Sequence, residues 1–138
     1  MKKISKTSNF IHFAIKSNDS EMFNYIKDKY FDDPDSYGLY LNSAIEQASQ
    51  KEGGLNPDVL SGAVELLDEE SSNTLLWSLF LRLDKADEQF DNQYIVDILK
   101  EMKSQGKLDL ENKRNIDLIR EKAGEQGLSE ISGILEDL

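Results

Sequence analysis

The chain has 138 residues, 38% of them hydrophobic and 31% charged, with a net charge of −11 and no cysteine. That length suits a single domain spanning residues 1–138, with apolar stripes on helices rather than a thick interior. The missing cysteines exclude disulfides, thiolate metal sites and cysteine nucleophiles together.

Charge is distributed unevenly. Met1 to Tyr30 carries six lysines against three acids, for +3; residues 31–92 carry fourteen acids against Lys51, Arg82 and Lys85, for −11; residues 93–138 carry ten acids against seven bases, for −3. Such a field repels nucleic acid and attracts basic proteins. The basic start, Met1 to Lys6, is not followed by an apolar segment of signal-peptide length. The longest strongly apolar run, Leu75 to Leu83, is interrupted by Ser78 and Arg82 and is too short for a bilayer. The expectation is a soluble cytoplasmic protein with no membrane partner.

In chain order, four stretches have the pattern of paired helices. Asn9 to Lys16 precedes Ser17-Asn18-Asp19, after which Ser20 to Ile26 opens a second helix. Asp19 or Ser20 can cap that helix by accepting hydrogen bonds from its first amides. Pro34 and Gly38 then punctuate the chain. Leu39 to about Gln50 forms the next helix, and Gly53-Gly54 breaks it. Asn56-Pro57-Asp58 supplies an N-cap and a first-turn proline for a helix whose apolar stripe is Val59, Leu60, Ala63, Val64 and Leu67.

The third pair begins at Ser72 and runs through Phe80. A polar stretch, Asp84 to Asn92, leads to a helix over Tyr94 to Met102, with Gly106 as its stop. The fourth pair covers Asn115 to Ala123, then Gly127, then Leu128 to Leu135. No stretch shows the alternation of a strand. The fold class is all-α, built of helical hairpins.

Several residues resemble the ankyrin repeat, whose first helix begins Thr-Pro-Leu-His-x-Ala. Asn9-Phe10-Ile11-His12-Phe13-Ala14 occupies that frame, and Asn18-Asp19 with Glu21-Met22-Phe23 fall where the family turns into its second helix. Ala123, Gly127, Glu130-Ile131 and Ile134-Leu135 repeat the second half of the motif. Lys107 to Lys113 is similar to the loop that precedes a repeat, and Thr74 to Leu79 echoes the start, with Trp77 where the family has His. Equivalent positions Ala14, Ala44, Leu79 and Ala123 are spaced by 30, 35 and 44 residues instead of a constant 33. The resemblance therefore implies an irregular ankyrin-like α-solenoid of about four units, binding through loops and a concave face and performing no chemistry.

Catalytic and metal constellations are sparse. His12 is the sole histidine and lacks partners at metal-ligand or general-base spacing; in the ankyrin frame its role is structural. Asp33, Asp35, Tyr37 and Gly38 suggest a calcium loop, but its twelfth position, counted from Asp33, is Ala44 rather than a carboxylate. No nucleophile elbow, phosphate loop or dinucleotide fingerprint occurs. Paired carboxylates are too numerous to mark a hydrolase site. Neither an enzyme, a cofactor nor a metal is expected. Trp77, flanked by apolar residues, is expected in the core.

The candidate partner-binding residues are three acidic clusters: Asp32, Asp33, Asp35 and Tyr37; Asp68, Glu69 and Glu70 between repeats; and Asp84, Asp87, Glu88 and Asp91. Stacked hairpins would align them on one edge. A small acidic repeat scaffold of this kind resembles the immunity proteins of bacterial polymorphic-toxin and contact-dependent growth inhibition systems. That resemblance implies an inhibitor occupying the basic cleft of a toxin domain, a nuclease above all. The alternative is a scaffold or adaptor that binds a peptide or folded domain through a mixed groove.

Overall fold

The computed structural model describes residues 10, 12–30, 38–51, 53–85, 91–109 and 112–136. Among these, every regular element is a helix and none is a strand: α1 (residues 12–17), α2 (Ser20–Tyr30), α3 (Gly38–Ser49), α4 (Pro57–Glu65), α5 (Glu69–Asp84), α6 (Gln93–Ser104), α7 (Lys113–Glu125) and α8 (Ser129–Leu135).

Local chemistry sets most of these ends. Asn18 closes α1 in the left-handed region at φ 53°, which a short amide side chain tolerates. Asp19 then caps α2, its Oδ1 accepting from the amides of Glu21 and Met22 at 2.9 and 3.1 Å. Asn56 caps α4 by accepting from the Asp58 amide, with Pro57 in the first turn. The helices α6 and α7 end alike. Gly106 and Gly127 both sit at φ 71°, and the following amides, of Lys107 and Leu128, each donate at 2.8 Å to carbonyls five residues back, those of Met102 and Ala123. This is the Schellman arrangement, which a glycine at positive φ makes accessible.

Two boundaries differ from the sequence expectation. Gly38, read as a breaker, is the first residue of α3. Glu69 and Glu70, read as a connection between repeats, form the first turn of α5, which starts three residues earlier than Ser72. The cause is a reciprocal cap. The Asp68 carboxylate accepts from the Ser71 amide at 2.8 Å while the Ser71 hydroxyl accepts from the Asp68 amide at 2.9 Å. Two acids directly inside that cap face the positive end of the helix dipole, where they are favoured.

Two compact units divide the chain inside the first turn of α5, at Met1–Ser71 and Ser72–Leu138. In the first, α2 and α3 pack on α4. Phe23 is fully buried against α4 at Gly62, where a Cβ would strike the ring's Cε2 and lie 3.2 and 3.3 Å from Cδ2 and Cζ. Asn18 binds the strand of chain entering α4, accepting from the Asn56 amide at 2.6 Å and donating to the Gly54 carbonyl at 3.2 Å. At the other end, Lys27 pairs with Glu65 at 3.3 Å. Contacts at 18/56, 23/62 and 27/65 advance together, so α2 and α4 run parallel.

The second unit follows the same rule. Here α8 packs on both α6 and α7. Lys100 pairs with Glu130, and Lys103 donates to the Ile134 carbonyl at 2.8 Å, so α6 and α8 are parallel. Side chains near the start of α7 reach the start of α5, and those near its end reach the end of α5. Asn115 donates to the Asn73 carbonyl, Lys122 pairs with Asp84, and Gln126 donates to the Leu83 carbonyl. The equivalent positions Ala14, Ala44, Leu79 and Ala123 are all fully buried, despite their unequal spacing.

Candidate functional site

The acidic clusters divide by what the structure describes. Asp32, Asp33, Asp35, Tyr37, Asp87 and Glu88 lie outside the described residues. Of the remainder, Asp68, Glu69 and Glu70 stay together at the start of α5, with Asp68 half-buried in its capping role and both glutamates exposed. Asp84 closes the same helix and pairs with Lys122 at 3.0 Å. Asp91 is exposed before α6, accepting from the Gln93 amide at 3.0 Å. The described carboxylates thus fall at the two ends of α5, a 16-residue helix that at ~1.5 Å per residue is about 24 Å long, and at the entry to α6. Asp68, Asp84 and Asp91 each also hold local structure.

Between those ends stands a residue the sequence reading placed in the core. Trp77 is 45% exposed. The correction lies in helical phase. Leu75, Leu76, Leu79 and Leu83 are fully buried and define the inward stripe at i, i+1, i+4 and i+8 spacing. Trp77 comes one residue, about 100° of rotation, beyond Leu76 and so leaves that stripe. Leu75 and Leu79, two residues to either side, lie about 160° from it around the helix. The spacing of the leucines was the available signal.

Phe80, half-buried, is the ring partner of Trp77, with centroids 5.4 Å apart and planes tilted by 31°. Because seven residues fall about 20° short of two helical turns, Trp77 and Asp84 fall along one line of α5. Beside them α7 is held by Asn115 near one end and by Lys122 and Gln126 at the other, with Leu118 between these residues in sequence and half-buried. Lys122 is shared between Asp84 and Glu125 at 3.0 and 3.1 Å, and these carboxylates hold its ammonium pKa above the usual lysine value.

The first unit exposes Phe13, Met22 and Tyr25. Lys29 lies 5.5 Å from the Tyr25 ring centre and donates to its hydroxyl at 3.3 Å, a cation–π placement. His12 is half-buried on α1. Burial, and secondarily the positive charge of Lys16, keeps its pKa below the ordinary 6.5. Among the described residues no group of three histidine or carboxylate side chains is placed to hold a metal ion. None of the described helices is long and apolar enough to cross a membrane.

Comparison with known protein families, curated proteins and solved structures finds no match to this chain.

Proposed function

We propose that the protein is an inhibitor that captures a cationic protein domain, in the manner of an immunity protein neutralising a basic toxin, a nuclease above all. The observation that carries this reading is the placement of charge. Residues 31–92 hold a net −11 while the flanking segments sum to zero. Potential concentrated in this way accelerates encounter with a basic surface and disfavours acidic competitors. Stacked helical hairpins are the frame we propose for its display. Support comes from the parallel pairs α2 with α4, α5 with α7, and α6 with α8, in each of which the earlier part of one helix meets the earlier part of the other.

The test is the association kinetics of the purified chain with the protein partner it captures from its native cells. Raising sodium chloride from about 50 to about 500 mM is expected to slow association by roughly tenfold or more and to leave dissociation nearly constant. A captured partner of net negative charge, or an association rate indifferent to salt, refutes the reading. Exposed Phe13, Met22 and Tyr25 favour a second reading, a scaffold that docks partners by apolar contact. In that case affinity persists at high salt and falls when Tyr25 is replaced by Ala.

A further inference from the structure

The outward stripe of α5 combines an aromatic platform with a carboxylate at a measured interval. Trp77 is close to half exposed and rests against Phe80 at 5.4 Å, so a large, rigid apolar surface stands in solvent. A ring pair of this kind is the usual composition of an interface anchor. Asp84 lies seven residues after Trp77, about 10 Å away along the helix. The helix belongs to the tract with net charge −11. The partner for such a stripe is cationic at a matching interval.

We infer that this stripe docks an arginine-bearing helix of the partner, one guanidinium stacking on Trp77 and another, seven residues away, meeting Asp84. The inference rests on the reading of the protein as a binder of cationic domains. A helix is the occupant because it repeats its side chains along one line at the same seven-residue interval, about 10 Å, as the stripe it faces. Arginine suits the site better than lysine. Its planar, weakly hydrated guanidinium stacks on an indole face and pairs with a carboxylate through two parallel hydrogen bonds. Lys122, already shared by Asp84 and Glu125, gives the site its adjustable element. An incoming guanidinium competes with it for Asp84, so Lys122→Met strengthens docking.

Trp77 is the single tryptophan of the chain, and its fluorescence therefore reports this site alone. The probe is a synthetic amphipathic helix with arginines seven residues apart, compared with lysine and glutamate versions and titrated into the full chain. The arginine peptide is expected to shift the Trp77 emission to the blue and to shield it from acrylamide, with the lysine peptide several-fold weaker and the glutamate peptide inert. By calorimetry, Trp77→Ala costs roughly tenfold or more in affinity. Asp84→Asn costs roughly fivefold or more, whereas Asp28→Asn, an equal loss of charge on α2, costs about twofold or less.

Calorimetric binding with unchanged Trp77 emission, or equal losses from the two charge-matched variants, overturns the site and leaves the broader reading intact. Failure of the arginine peptide to bind, while the native partner still associates in a salt-sensitive way, overturns the arginine helix as occupant. Salt-insensitive capture of the native partner removes the broader reading, and this inference with it.

Discussion

Gly62 and Gly124 show how one substitution changes sign with its surroundings. Both lie inside helices, where alanine is intrinsically better by about 1 kcal/mol. At Gly124 a Cβ meets nothing within 4 Å, so Gly124→Ala is expected to stabilise by roughly 0.5–1 kcal/mol. At Gly62 the same methyl strikes the Phe23 ring, which is fully buried and cannot swing aside. Gly62→Ala is therefore expected to destabilise by about 1–3 kcal/mol through overpacking. Urea midpoints of the two variants check the pair, and a gain at Gly62 would show that α2 and α4 are less closely apposed than described. His12 provides a second test at this scale. Burial holds its folded pKa below 6.5, so the unfolded chain takes up a proton at higher pH than the folded one. The resulting stability is complete above pH 6.5 and declines as pH falls through that value, levelling off below the depressed folded pKa. Stability measured from pH 7.5 to 5.5 should fall for the native chain, and His12→Gln should flatten that slope.

Helices were legible from sequence wherever their ends are fixed by neighbouring residues. Asn56-Pro57-Asp58, Asp19, Gly106 and Gly127 each act within a few residues of themselves, and the structure uses all of them. The start of α5 is obscured by its acids, which have the composition of a charged connection, although Asp68 and Ser71 have the three-residue spacing of a reciprocal cap. The apolar residues flanking Trp77 point it inward, whereas helical phase turns it outward. Neither the parallel pairing of α5 with α7 nor the side chains that hold it could be read at all. Asn115, Lys122 and Gln126 find acceptors about 40 residues away, and no local pattern announces them. An element-scale prediction follows for α8. Seven residues are too few to hold a helix in water alone, so α8 persists only while docked. Its final carbonyls, of Ile134 and Leu135, receive Lys103 from α6 and Arg120 from α7. Lys103→Met is expected to raise amide hydrogen exchange throughout α8 and leave α6 protected, as local opening requires. Equal acceleration in both helices would contradict this.

At the scale of the whole molecule, charge and packing make separate contributions. Exposed ion pairs such as Lys27–Glu65 and Lys100–Glu130 contribute about 0–1 kcal/mol each to stability; their value is in fixing which residue opposes which. The core is supplied by fully buried aliphatic side chains of both units. Salt is thus expected to act on partner capture far more than on folding, a contrast that thermal melts recorded beside the association kinetics would expose. The parallel helix pairs carry one further consequence. Their opposed residues are separated by 38 positions at Lys27–Glu65, by 30 at Lys100–Glu130 and by 42 at Asn73–Asn115, and the α5–α7 pair is closed in addition by the side-chain amides of Asn115 and Gln126, which donate to the carbonyls of Asn73 and Leu83. The helix pairs are therefore not interchangeable. A chain assembled by duplicating or shuffling them would present Asn115, Lys122 and Gln126 to surfaces without the matching carbonyls and carboxylate, so re-engineering this fold means redesigning each seam.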